Sequence, residues 1–122
     1  MQSESFDLFR NNGGLLELYN ELIRQISNFG KLTIKPRKSY SKIVVLCNHR
    51  NFAYISLLNG DGSFMDKGFK VVFSMNHIIS DSRIQAVTEP HPGRFSHHVA
   101  VETASDINEQ LIEWLQQAFE NA

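Results

Sequence analysis

The chain has 122 residues, 42% hydrophobic and 20% charged, with twelve basic residues against thirteen acidic ones and a formal net charge of -1. That length predicts one compact domain over 1–122 with a core that needs no staples. The charge balance excludes a highly basic nucleic-acid coat protein and leaves room only for a local patch. The lone cysteine, Cys47, excludes an intramolecular disulfide and a Cys-rich zinc site. No apolar run reaches the roughly 18 residues of a membrane span. The polar start Met1-Gln2-Ser3-Glu4-Ser5 has no basic region before an apolar core, so it does not read as a secretory signal, and a cytoplasmic location is the expectation.

The first segment, Phe6-Asp7-Leu8-Phe9-Arg10, is short and apolar, and Asn11-Asn12-Gly13-Gly14 then breaks it with a turn. From Leu15 the period becomes helical. Leu15, Leu18, Tyr19, Leu22, Ile26 and Phe29 fall on one stripe at steps of three and four, which predicts a helix over 14–29 closed by Gly30. Residues 31–34 form a short strand candidate that Pro36 ends. Residues 43–47 are apolar on both faces, the pattern of an interior strand. The turn-like Asn48-His49-Arg50-Asn51 leads into a strand over 52–58, and so short a connection implies an antiparallel hairpin. Asn59-Gly60-Asp61-Gly62-Ser63 is a glycine-rich loop. Phe69, Val71, Phe73 and Met75 then alternate with Lys70, Val72, Ser74 and Asn76, a period of two.

Residues 77–96, with Pro90, Pro92 and Gly93 close together, read as an irregular loop. A last strand follows over 97–102. Asp106-Ile107-Asn108-Glu109 matches a capping box with Asp106 as N-cap, and Ile107, Leu111, Trp114, Leu115 and Ala118 give the closing helix its apolar stripe. With no long crossover between strands, the pattern predicts an α+β, two-layer domain. Its mainly antiparallel sheet has four or five strands, with an N-terminal and a C-terminal helix packed on one face.

Chemistry-bearing residues are few. His97 and His98 are adjacent in a strand and so point to opposite faces. That geometry opposes a shared metal and predicts no metal site; the plain reading puts His97 at the core edge and His98 on the surface. Arg83 and Arg94 lie beside turn-forming residues, where a guanidinium either braces a loop or holds a phosphate or carboxylate. No G-x-x-x-x-G-K-[ST], G-x-G-x-x-G or G-x-S-x-G string occurs, so no nucleotide loop or nucleophile elbow is predicted, and no cofactor is expected. Cys47, in an apolar strand, reads as an inert buried thiol. Tyr54, Phe69 and Phe73 suit either a base-stacking sheet face or an ordinary core, with core the favoured reading.

Several strings then occur in order: Ser80-Asp81-Ser82-Arg83-Ile84, Arg94-Phe95-Ser96-His97-His98, Asp106-Ile107-Asn108-Glu109 and Trp114-Leu115-Gln116-Gln117-Ala118-Phe119. Together with Leu18-Tyr19, Lys38-Ser39 and Asn48-His49-Arg50-Asn51-Phe52-Ala53, they resemble the bacterial family catalogued as domain of unknown function 5655. The resemblance covers about residues 15–119. The family pattern runs S-P-R-I, R-W-[ST]-H-H, D-[IL]-D-[ED]-E-L and W-[IL]-x-x-A-Y; here Ser82 stands for the proline and Phe95 for the tryptophan, which removes an indole donor. Some relatives carry the label "predicted transport protein", which a chain without a membrane span cannot fulfil alone. The resemblance implies that Lys38, Arg83, Arg94, His97 and His98 occupy the family's polar signature positions.

Three functional readings follow. The leading one is a small binding or accessory module whose anion-recognising site is built from Lys38, Arg83, Arg94, His97 and His98. Its partner would be a phosphate- or carboxylate-bearing ligand or nucleic acid. The second is an enzyme using His97 or His98 as acid or base. The third is structural, with the Arg/His signature bracing a loop in a homodimer. The absence of a convincing nucleophile or paired carboxylates ranks binding above catalysis.

Overall fold

The computed structural model describes residues 13–36, 43–48, 50–57 and 68–121. Helix α1 (Gly13–Ile26) runs into a single 3-10 turn (Ser27–Phe29). Strands β1 (Thr33–Pro36), β2 (Ile43–Asn48), β3 (Arg50–Leu57), β4 (Phe69–Met75), β5 (Ile84–His91) and β6 (Arg94–Val101) follow. A second 3-10 turn (Ala104–Asp106) precedes helix α2 (Glu109–Glu120). The last turn of the expected helix takes 3-10 geometry, and Gly30 closes it with a φ of 145° that only glycine adopts readily. The expected apolar segment at 6–10, the turn residues Asn11 and Asn12, and the glycine-rich loop at 59–63 lie outside the described residues.

The strands form one sheet in the order β1-β2-β3-β4-β6-β5, with every pairing antiparallel. The α+β class and the antiparallel sheet are as expected, but there are six strands rather than four or five. The extra strand comes from residues 77–96, read as a loop. Residues 84–91 instead form an edge strand, and the turn at Pro92 and Gly93 joins it to β6. Pro followed by a Gly at φ 79° suits the two central positions of a tight turn. Pro90 is tolerated because β5 has a partner on one side only and its register slips between Thr88 and His91. Pro36 likewise ends β1, the opposite edge.

Alternation divides the sheet into two faces. Ile55, Phe69, Val71, Phe73, Met75, Val99 and Val101 point inward and are buried. The core closes over them with Leu18, Tyr19, Leu22 and Ile26 of α1 and Leu111, Trp114, Leu115, Ala118 and Phe119 of α2. Each fully buried Leu or Ile contributes about 1.5–3 kcal/mol. Helix packing departs from the expectation in one detail. Helix α2 lies against β2, β3 and β4, whereas α1 seats chiefly on α2. Phe119 links the layers, its ring 5.6 Å from Phe29 and 5.5 Å, edge-on, from Phe52.

The start of α2 is also revised. Its N-cap is Asn108, whose Oδ1 accepts the Leu111 N–H at 3.0 Å. Asp106 closes a capping box with Thr103 on the preceding 3-10 turn instead. Its Oδ2 accepts the Glu102 and Thr103 N–H groups at 2.9 and 3.1 Å. The Glu102 amide first, with Thr103 and the Arg83 charge behind it, holds the Asp106 carboxyl below its usual range.

Candidate functional site

The four signature positions among the described residues do not share one place. Lys38 lies outside the described residues. The other four divide according to strand parity and the β4–β5 connection.

His97 sits on the inner face, 0% exposed, paired with Phe73 on β4 and Val87 on β5. Its ring stacks on Phe73 at 5.2 Å and 10°, and Phe73 stacks on Trp114 at 5.7 Å. The Ile79 N–H donates to Nε2 at 2.9 Å, so Nε2 carries no proton and Nδ1–H donates to the Phe95 carbonyl at 3.1 Å. Burial, the largest cause, pushes its pKa below the ordinary 6.5, against the opposing pull of the Phe95 carbonyl. Both ring nitrogens are therefore engaged with backbone.

Arg83 also turns inward to protein partners. Its Nη1 donates to Asn108 Oδ1 at 2.9 Å and its Nη2 to the Asp106 carbonyl at 2.8 Å. Asp81 completes the tie: Oδ1 accepts the Arg83 N–H at 2.9 Å and Oδ2 accepts Gln110 Nε2 at 3.2 Å. The β4–β5 connection is thus fastened to the entry of α2. Of the two roles open to Arg83, these bonds are those of a brace.

His98, one residue from His97, is half-buried on the opposite face. It stands in a cross-sheet row of Tyr54, Val72, His98 and Ala86. Burial, then the Lys70 ammonium, then His97 lower its pKa from 6.5. Lys70 pairs with Ala100 in the register. Arg94 begins β6, and alternation puts it on the same outer face as Ser96 and His98. Ser74 lies opposite Ser96 on that face. Arg94 is half-buried and makes no hydrogen bond or ion pair with a described residue. The ion pair found among the described residues is elsewhere, between Arg24 and Glu21 on α1.

Sequence reasoning missed Lys70. Its alternation with Phe69 and Val71 assigns it a face, but only the β4–β6 register brings that face to His98. It equally missed Asp81, Asn108 and Gln110 as the receiving side of Arg83. Of the three aromatics considered for stacking, Phe69 and Phe73 are core residues, and Tyr54 is half-buried on the outer face. Cys47 is buried, and its thiol donates to Asn51 Oδ1 at 2.9 Å across the β2–β3 irregularity.

Among the described residues no group of three or more His, Cys, Asp or Glu side chains is arranged to hold a metal ion. Nor is any described helix long and apolar enough to cross a membrane. A family model matches the chain over residues 7–122; its description is "Domain of unknown function (DUF5655)". No curated protein and no solved structure matches.

Proposed function

Because the chain belongs to this family, whose description states no activity, we propose a function from the geometry: a small binding module that takes a phosphate- or carboxylate-bearing ligand on the outer sheet face. Arg94, His98 and Lys70 would be the contacts, with Ser74 and Ser96 as neutral donors. The observation that supports this reading is the division of the signature. Arg83 and His97 spend their polar atoms on the fold, whereas Arg94 and Lys70 make no ion pair with a described residue. Arginine offers planar paired donors to an oxyanion, and lysine a point charge. His98 adds a donor whose charge depends on pH. An acid–base role, in the enzymatic alternative, falls to His98 rather than to His97, whose two nitrogens are occupied.

The structural alternative is supported by the Arg83 and His97 bonds themselves, and the same experiment separates the two. Isotope-labelled protein is titrated with inorganic phosphate, pyrophosphate, a nucleotide panel and short single-stranded oligonucleotides. The binding reading expects shifts at Lys70, Arg94, Ser96 and His98, weakening with salt. Affinity rises as pH falls below 6.5, because an anion favours charged His98. Arg94→Ala should weaken binding about tenfold, roughly 1.4 kcal/mol, without lowering the melting temperature. Arg94→Ala that lowers the melting temperature, with no probe bound by the wild type, overturns the reading.

A further inference from the structure

His97 is the fully buried polar side chain among the described residues, and the binding reading above makes no use of it. Its Nε2 accepts the backbone N–H of Ile79, in a segment that has no other hydrogen bond to the sheet among the described residues. Between the end of β4 at Met75 and Asp81, Asn76, His77 and Ile78 are exposed, Ile78 at 60%. Ile79 alone is tucked in, partly buried against the core, and its N–H is the group that His97 receives. Downstream, Asp81 and Arg83 carry four separate bonds to one another and to Asp106, Asn108 and Gln110. The connection is thus tied by four hydrogen bonds at one end, and at the other by one hydrogen bond and the partial burial of Ile79.

We infer that His97 is a proton-operated latch: neutral, it holds Ile79 and the segment 76–80 against the sheet, and its protonation releases that segment while the Asp81–Arg83 tie stays closed. The chemistry is an inversion of polarity. A proton taken from solvent at Nε2 turns the acceptor into a donor that faces the Ile79 donor, so the bond is lost and two N–H groups oppose one another. Nδ1–H keeps its bond to the Phe95 carbonyl, so the ring has no reason to leave β6.

The surroundings reinforce the effect. His77, on the released segment, raises the cost of charge on His97, and His98 is the titratable neighbour along β6. From β5 the register partner is Val87, and from β4 and α2 the neighbours are Phe73 and Trp114, none of which titrates in this range. With its pKa below 6.5 in the folded protein, the neutral latch stabilises the closed segment above that pH and loses hold as pH falls through the folded value.

The test follows the Ile79 amide protection factor, the His97 ring-nitrogen shifts and Trp114 fluorescence from pH about 8 to about 4.5, the span over which histidines titrate. Protection at Ile79 should fall about tenfold or more with a midpoint below 6.5, matching the His97 ring titration, while amides of β6 and α2 stay protected. His97→Gln, which offers an acceptor oxygen without a titrating group, should show no such transition. The inference is overturned if Ile79 stays protected once the ring nitrogens show His97 charged. It is equally overturned if His97→Gln keeps the same midpoint, or if Ile79 opens only with global loss of circular dichroism. Should His97→Gln fail to fold, coincidence of the two wild-type midpoints decides the matter alone.

Discussion

One oxygen, Oδ1 of Asn108, serves both Arg83 and the first turn of α2: it accepts Arg83 Nη1 at 2.9 Å and the Leu111 N–H at 3.0 Å. The cap of a helix and the anchor of the β4–β5 connection are therefore the same atom. Fixing Asn108 for either purpose lowers the entropy cost of the other.

That sharing predicts coupling. Asn108→Ala should cost about 1 kcal/mol through the lost cap. Arg83→Ala should cost a similar amount, about 1 kcal/mol, since its bonds are partly open to solvent. The double variant should lose less than the sum, by about 0.5 kcal/mol or more. Urea denaturation of the four proteins measures this, and strict additivity would refute the shared-atom account.

Gly68, just before β4, has no room for a side chain. A Cβ there would run into the Val101 carbonyl oxygen and meet the Glu102 Cα at 3.0 Å. Both obstacles are backbone of the neighbouring strand end, which cannot swing aside. Gly68→Ala should therefore destabilise the protein by about 1–3 kcal/mol, as overpacking does. A melting temperature equal to wild type would mean that β6 departs from β4 at that point.

Cys47 is 4% exposed, and its thiol is spent on Asn51. Labelling by an aromatic disulfide reagent should be slow in native buffer and stoichiometric once urea unfolds the chain. Fast labelling of the folded protein would show that the β2–β3 irregularity opens readily.

Much of this architecture is legible in the sequence. The apolar period of α1 and α2, the alternation along β4, and the interior character of β2 are local patterns, and each reports a burial that the sheet later supplies. The β5–β6 hairpin was not legible, because Pro90, Pro92 and Gly93 carry loop statistics. Only the edge position of β5 makes Pro90 harmless. Asp106 and Asn108 likewise differ by two residues in a run where either can cap. The choice went to Asn108 because Asp106 reaches back to Glu102 and Thr103.

The chemistry divides in the same way. Strand parity alone settles that His97 and His98 cannot work together on one face, since alternation is a property of the extended backbone. Which of the two is buried, and that Arg83 turns toward α2 while Arg94 stays unpaired among the described residues, are matters of long-range register and helix docking. Lys70 comes to His98 only because β4 pairs with β6, with β5 outside them. The sequence by itself determined the two helices, the strands of the β2–β4 region and the alternation of faces within a strand, because those follow from local backbone geometry. Only the tertiary structure decided which polar groups meet, because hydrogen bonds between Arg83 and Asn108, or between Ile79 and His97, join residues that no local period connects.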